Sequence, residues 1–229
     1  YGMPSNSAVM MMFYRKDLME DAGEKAAFKA KYGYDLAPAK TWTQYQDIAA
    51  FFTRPAGAKL AGQALADPFY GTTMAGKRHV ATVLEWMNYS WTNGGDLFDA
   101  SGQPAINSAA NVTALTYEKA LTAFAPPGFS SATWDEVTAQ MQQGTAAQAI
   151  TWGDTAGAME DKTASKVLGK MGYADIPVKA EGDKATAHLG SWTYSINAAS
   201  KNQEAGQVFM AWALSKTVQT ELAKQGGLP

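Results

Sequence analysis

The sequence predicts an α/β fold, in which short apolar segments typical of strands alternate with amphipathic segments typical of helices. Residues 8–14 (AVMMMFY) form a short apolar run that is typical of a buried strand. Two capping-box patterns, at 41–44 and 133–136, each stand before a helical pattern. The apolar run 146–152 follows the second of these helices, and this alternation indicates the α/β class.

The first half of the chain predicts three helices and two strands. After the first strand, residues 17–32 are rich in Ala, Glu and Lys and predict a helix that breaks near Gly23. The first capping box predicts a helix to Phe52. Residues 69–75 predict a short strand, and residues 80–91 predict a helix that an Asn-Gly-Gly sequence ends.

The second half repeats the alternation. Residues 96–106 predict two short extended pieces around a turn. Residues 109–124 predict a helix that a Pro-Pro-Gly sequence stops, and the second capping box predicts a helix to Gly144. The remaining predictions are strands at 146–152, 175–178 and 192–198, and helices at 156–161, from Ser200, and from Ser215 to about Gln225.

Composition excludes several classes of function. Of the 229 residues 46% are hydrophobic, which is enough for a globular core, and the net charge is only −2. Because no cluster of Lys and Arg stands out, we expect neither nucleic acid nor an anionic membrane as a partner. The absence of cysteine excludes disulfides, thiol catalysis and cysteine-ligated zinc, and two histidines make a histidine-rich metal site unexpected. No cofactor and no metal are predicted.

Catalytic motifs are not evident in the sequence. It carries no nucleophile elbow, no phosphate-binding Walker loop and no dinucleotide fingerprint. A glycosidase needs two carboxylates at a set separation. In this sequence Glu85 and Asp154 are the two carboxylates that could pair across a cleft. We therefore expect that the protein is not an enzyme, with a carbohydrate-active enzyme as the alternative.

Five stretches of the chain carry a family resemblance. They are YGMPSNSAVMMMFYRKDL, KTWTQYQDIAAFF, WTNGGDLFD, MQQGTAAQAITWGD and LGSWTYSINAASKNQEAGQVFMAWALSKTVQTELAKQGGLP. In this order they resemble the extracellular solute-binding proteins of the maltose-binding type, the receptors of carbohydrate ABC importers. Two positions depart from the family pattern: Ala39 stands where a proline is usual, and Ser191 stands where a second glycine is usual.

The resemblance implies a two-lobed periplasmic-binding-protein type II fold, of which this chain carries only part. Residues 1–189 would belong mainly to the second, C-terminal lobe, with a first hinge crossover at 1–10. Residues 190–229 would return to the first, N-terminal lobe, and the remainder of both lobes would be missing. The apolar stripe at 205–212 would then need residues outside this sequence, or be exposed.

The resemblance also implies a function. The protein would be the substrate-binding component of an ABC importer, capturing a sugar or oligosaccharide in a cleft between lobes that close over it. It would deliver this carbohydrate ligand to permease subunits in the membrane, as a monomer in the periplasm or as an extracellular, membrane-anchored protein. A sugar sensor that feeds no transporter is a further alternative.

Candidate ligand residues are aromatic and small polar side chains, because sugars offer flat C–H faces and hydroxyl rims. The resemblance places two groups of them at the crossovers: Ser5, Asn6 and Ser7 at the first, and Gly190, Ser191 and Trp192 at the second. The serines and Asn6 could equally be turn formers, and Trp192 could fill the hinge.

Four further candidates lie elsewhere in the chain. Trp152 and Asp154 stand where the 146–152 strand ends, and ligands gather near strand ends in α/β sheets. Arg78 precedes a helix and could hold two hydroxyls in a fork. Trp86 on that helix is a weaker candidate, since a tryptophan more often fills a core.

Overall fold

The fold is built around one long strand, β1 (Met3–Arg15). A computed structural model describes residues 2–225, which form two compact units. Unit 2 is Met10–His188, and unit 1 combines the described residues before Met10 with those after His188. The chain therefore passes between the units twice, once within β1 and once after His188.

The sheet of unit 2 has the second half of β1 at its centre. This half pairs antiparallel with β4 (Gln148–Trp152) on one side and with β5 (Met171–Ala174) on the other. In this register Met10 lies opposite Trp152. The prediction of a buried strand at 8–14 is confirmed, because Met12 and Phe13 are both fully buried.

Helices and a short hairpin complete unit 2. Both predicted capping boxes are present, at Thr41 with Gln44 and at Thr133 with Glu136. The helices are α1 (Lys16–Glu20), α2 (Ala22–Tyr32), α3 (Trp42–Phe52), α4 (Val80–Thr92), α5 (Ala109–Leu121), α6 (Trp134–Gln142) and α7 (Ala156–Met159). The hairpin pairs β2 (Lys59–Leu60) with β3 (Gln63–Ala64), and 3-10 turns lie at Thr122–Phe124, Pro127–Ser131 and Gly153–Thr155.

Two hydrophobic clusters form the core of unit 2, one on each side of the sheet. Successive side chains of a strand point to opposite faces, so Met12 joins the larger cluster and Phe13 the smaller one. On β4, Ile150 likewise belongs to the larger cluster and Ala149 to the smaller one. Burial of a side chain such as Phe13 stabilises the fold by about 2–3 kcal/mol.

Unit 1 contains the first half of β1, β6 (Leu189–Tyr194), α8 (Gln203–Ala213) and α9 (Lys216–Lys224). Strand β6 pairs antiparallel with the Met3–Val9 part of β1, with a register shift between Pro4 and Asn6. The predicted apolar stripe of α8 is exposed, and Val208 has 71% of its surface accessible.

Three strand predictions were wrong in place or kind. Residues 69–75 form single bridges instead of a strand, because only Tyr70 and Thr73 meet the β4 segment, each at one residue. The strand expected at 175–178 lies earlier, as β5, while Val178 makes one parallel bridge to Thr41. The last strand runs over 189–194 and not 192–198.

Some predicted boundaries also moved. The first helical region breaks at Asp21, not Gly23, because the Asp21 carboxylate accepts a hydrogen bond from the backbone N–H of Glu24 at 2.9 Å and caps α2. The cap of α8 is Asn202, not Ser200. Residues 96–106 make one isolated bridge, Phe98 to Pro104, rather than two extended pieces. Within residues 2–225, no helix has both the length and the apolar character needed to cross a bilayer.

Candidate functional site

Trp152 is the last residue of β4 and stands at the end of the unit 2 sheet. Its ring is partly buried against the larger hydrophobic cluster, and part of it reaches the surface. The ring also lines a small, open depression in the surface. The structure thus places this predicted residue at a strand end and beside a concave surface.

The depression joins side chains from β1, β4, α4 and α6. Its lining includes Met10 and Ile150 of the sheet, together with the rings of Trp152 and Trp134. Two indole rings and aliphatic side chains therefore dominate its surface. Such a surface suits the C–H face of a polyhydroxylated ligand.

Glu85 is the carboxylic acid that lines this depression. It is 2% exposed, and burial raises its pKa to about 8. Its oxygens accept hydrogen bonds from the backbone N–H of Ala75 at 2.9 Å and from the Tyr89 hydroxyl at 3.1 Å. Glu85 is therefore mainly neutral at pH 7, and the depression is a nearly uncharged environment.

Arg78 lies in the loop between two lining residues, Ala75 and Ala81. It is exposed, and its guanidinium makes no hydrogen bond or ion pair among the residues that the structure describes. The neighbouring His79 caps α4, accepting the N–H of Ala81 at 3.2 Å, and its ring lies 5.1 Å from that of Trp134. The backbone of Arg78 therefore lies close to the depression. Its side chain makes no polar contact with the described residues.

Asp154 follows Trp152 by two residues, in the 3-10 turn after β4. It is partly exposed, and desolvation raises its pKa above the usual range for an aspartic acid. It does not belong to the nine residues that line the depression, whereas Glu85 does. The glycosidase pairing of Glu85 with Asp154 therefore gains no support from the lining of the depression.

Trp86 is not brought to this site. It is adjacent to Glu85 in sequence, but on a helix it lies about 100° further around the axis, and it is not among the residues that line the depression. Its ring packs against the larger hydrophobic cluster, and its indole N–H is buried without a hydrogen-bond partner among the described residues. This position fits core packing.

Two residues that the sequence reasoning passed over, His188 and Trp91, form an aromatic cluster with Trp152, and Asn88, a weak candidate on α4, holds His188 in place. The ring of His188 lies perpendicular to that of Trp152, with centroids 5.3 Å apart, and is stacked on Trp91 at 5.7 Å. Asn88 is fully buried and accepts the backbone N–H of His188 at 2.8 Å. One signal could have found His188: it is one of two histidines and directly precedes the second predicted crossover.

Six other candidates lie together in unit 1, on the paired strands β1 and β6. In this ladder Asn6 is opposite Trp192, Ser7 opposite Ser191, and Ala8 opposite Gly190. The hydroxyl of Ser5 donates to the carbonyl of Trp192 at 3.0 Å, and that of Ser191 donates to the carbonyl of Asn6 at 3.1 Å.

The exposure of this group differs from residue to residue. Trp192 is 73% exposed, so it does not fill a core in the described residues. The side-chain oxygen of Asn6 is buried and has no hydrogen-bond partner there. Within residues 2–225, no group of three or more His, Asp or Glu side chains could hold a metal ion.

Known proteins resemble this chain along its whole length. It is 28% identical to a mannitol-binding protein of Pseudomonas aeruginosa, over all of this chain and 48% of that protein. It is 26% identical to a probable amino-acid ABC transporter periplasmic-binding protein of Sinorhizobium fredii, over all of this chain and 47% of that protein. The chain therefore spans about half the length of the curated relatives it matches.

A solved structure gives the same result. An ABC transporter solute-binding protein of Agrobacterium radiobacter in complex with ribitol matches at a TM-score of 0.82 and 30% identity, covering 99% of this chain and 52% of that one. The prediction of an α/β, two-lobed periplasmic-binding-protein fold, present as one lobe and part of the other, is confirmed. The sequence pattern of the family described as bacterial extracellular solute-binding protein matches residues 1–220. The chain belongs to this family of bacterial extracellular solute-binding proteins.

Proposed function

We propose that the protein is the substrate-binding component of an ABC importer and captures a sugar or sugar alcohol. The observation that carries the proposal is the ring of Trp152, partly exposed at a strand end and lining a depression. A flat indole face binds the C–H face of a polyol well. One relative is named for mannitol, and a similar solute-binding protein was solved in complex with ribitol.

The polar groups near Trp152 suit hydroxyl groups. The free guanidinium of Arg78 could hold two neighbouring hydroxyls, because its N–H groups form a rigid fork. Asp154 offers a carboxylate that is partly desolvated, and hydrogen bonds to charged groups contribute about 1.5–3 kcal/mol. Trp152, Arg78 and Asp154 are therefore the ligand contacts that we propose in unit 2.

The candidates of unit 1 stay proposed contacts on the strength of the resemblance. Trp192 is the strongest of them, since a tryptophan with 73% of its surface exposed has no packing role among the described residues. Ser5, Asn6, Ser7, Gly190 and Ser191 flank it on the same ladder. Trp86, with its ring in the hydrophobic cluster, is the weakest of the residues that the sequence proposed.

The setting of the protein is also a proposal. We propose that it acts outside the cytoplasm, in the periplasm or anchored at the cell surface, as the family description indicates. We further propose that it delivers its ligand, as a monomer, to permease subunits of the same importer. The relatives from Sinorhizobium fredii and Pseudomonas aeruginosa are named as binding proteins and not as enzymes. We therefore expect no turnover of the ligand.

An amino acid is the second candidate ligand, because the relative from Sinorhizobium fredii is named as a probable amino-acid binder. An amino acid carries an ammonium and a carboxylate, and both need charged or strongly polar partners when they leave water. The depression beside Trp152 offers a buried Glu85 that is mainly neutral at pH 7. The lining of the depression therefore favours an uncharged polyol, whereas Arg78 and Asp154, which lie outside that lining, could pair with the charges of an amino acid.

Isothermal titration of the complete gene product distinguishes these candidates. The panel would contain D-mannitol, ribitol, maltose and a mixture of amino acids, with each polyol checked afterwards for chemical change. We expect saturable heat with at least one polyol or sugar and full recovery of the ligand. Heat with amino acids alone would contradict the ligand class, and conversion of the sugar would establish the enzyme alternative.

A further inference from the structure

We infer that His188 is a positioning residue, which fixes the ring of Trp152 in the orientation that a ligand requires for stacking. The inference rests on the proposed function, since it names a residue that acts through the proposed ligand contact. Its evidence is a set of contacts within unit 2, which join His188, the last residue of this unit, to Met10 of β1, to the helix α4 and to Trp152 of β4.

The backbone of His188 is fixed from two directions. Its N–H donates to the side-chain oxygen of Asn88 at 2.8 Å, and its carbonyl accepts the N–H of Met10 at 2.9 Å. Met10 is also the residue opposite Trp152 in the sheet. The same short stretch of β1 therefore sets the backbone positions of both His188 and Trp152.

Asn88 completes this attachment. Its side-chain nitrogen donates to the carbonyls of Leu84 at 3.0 Å and Glu85 at 3.1 Å, and lies 3.1 Å from the sulfur of Met10. A side chain that satisfies this many partners in a buried place has one orientation. His188 is thus fastened to a helix whose own residue, Glu85, lines the depression.

The ring of His188 is held between two tryptophans. Its face is stacked on Trp91 with an angle of 16° between the planes, and it stands at 90° to Trp152. Edge-to-face contact of this kind is a preferred aromatic geometry. Because Trp91 backs the imidazole, the His188 ring offers the indole of Trp152 a supported surface to pack on.

The contribution of His188 comes from its ring shape and not from its charge. Its Nδ1 atom is buried and has no hydrogen-bond partner among the described residues. Burial lowers its pKa below the usual value for a histidine, so the ring is mainly neutral at pH 7. A phenylalanine ring at this position should therefore support Trp152 equally well. His188→Phe is the conservative variant for the test.

The test follows the Trp152 ring directly, by fluorine NMR of the complete gene product labelled with 5-fluorotryptophan. The resonance of Trp152 is assigned from its loss in Trp152→Phe. His188→Ala removes the ring that packs on Trp152, and His188→Phe keeps a flat ring in its place. Phe98→Ala is the matched control, because it removes an exposed ring of unit 2 that lies outside this aromatic cluster.

We expect the Trp152 resonance to shift or broaden in His188→Ala and to stay near its wild-type position in His188→Phe and Phe98→Ala. In the same samples, D-mannitol and ribitol affinity should fall about tenfold in His188→Ala, the size of one good aromatic contact. It should change less than about twofold in His188→Phe. A residue that only stabilises the fold would lower the melting temperature and leave the resonance in place.

The possible failures are distinguishable. An unmoved Trp152 resonance in His188→Ala, with polyol binding intact, overturns the positioning role and leaves the proposed function standing. A wild-type protein that binds neither polyol nor sugar overturns the proposed function, and the stacking role of Trp152 with it. Equal loss of affinity in His188→Ala and His188→Phe also overturns the inference, because it would assign the effect to the imidazole nitrogens.

Discussion

The side-chain oxygen of Asn88 accepts a hydrogen bond from the backbone N–H of His188 at 2.8 Å, across one hundred residues of sequence. Asn88 is fully buried, and its nitrogen is bonded on the other side to carbonyls of its own helix. This one side chain therefore ties α4 to the end of unit 2, next to the depression that Trp152 lines.

Replacement of Asn88 by alanine should destabilise the protein strongly. The change removes several hydrogen bonds, leaves the N–H of His188 without its partner and opens a small cavity, which together cost about 2–4 kcal/mol. Urea unfolding measures this cost. Asn107→Ala, at an exposed position, is the control and should change the free energy of unfolding by less than about 0.5 kcal/mol. Equal stability of the two variants would show that the Asn88 contacts contribute nothing.

Gly71 shows where the backbone leaves no room for a side chain. A Cβ atom at this position would lie 1.7 Å from the carbonyl oxygen of Ala49 in α3. Gly71→Ala should therefore displace backbone and cost about 3 kcal/mol or more. Gly128→Ala is the matched control, since a Cβ there meets nothing within 4 Å. Thermal unfolding of both variants checks this, and a tolerated Gly71→Ala would contradict the close packing of the two segments.

Two buried carboxyl groups should make the stability depend on pH. Burial raises the pKa of Glu85 to about 8, and burial with the nearby Glu85 charge raises that of Glu118 to about 9. Between about pH 4.5 and 9 the folded state keeps protons that the unfolded state releases, so the stability falls as pH rises through this window. The fall is on the order of a few kcal/mol.

The measurement is urea unfolding at pH 5, 7 and 9. Glu118→Gln should flatten the decline, because the neutral amide has no proton to lose. The exposed Glu204→Gln should leave it unchanged. A stability that rises from pH 5 to pH 9 in the wild-type protein would show that these carboxyl groups are ionised in the folded state.

Trp192 tests the unit 1 candidates. Because 73% of its surface is exposed, Trp192→Ala should change the free energy of unfolding by less than about 0.5 kcal/mol. If this ring contacts the ligand, the same variant should bind the polyol identified by titration at least about tenfold more weakly. Phe98→Ala, at 57% exposure in unit 2, is the control and should retain wild-type affinity. Unchanged binding in Trp192→Ala would remove this residue from the site.

Much of the fold could be predicted because local signals agreed with the packing. The two capping boxes and the apolar run of β1 are short-range patterns with a direct physical cause, and each is present. The errors arose where long-range contacts decide. Residues 69–75 look like a strand, but the close approach of Gly71 to α3 limits their pairing to single bridges.

The candidate site was predictable only in part, for the same reason. Trp152 could be selected from its place at the end of an apolar run, which is visible in the sequence. Its neighbours Trp91 and His188 are 61 and 36 residues away in sequence, and no local pattern joins them to it. Trp86 was selected by residue type, and its ring instead packs against the hydrophobic cluster.

The most direct test of the account is the polyol affinity of Trp152→Ala, measured by isothermal titration in the complete gene product beside Phe98→Ala, which removes an exposed ring of unit 2. Loss of the indole face should weaken binding of D-mannitol or ribitol by at least about tenfold, while the protein stays folded and Phe98→Ala binds as the wild type does. Wild-type affinity in a folded Trp152→Ala protein would contradict the claim that this ring holds the ligand.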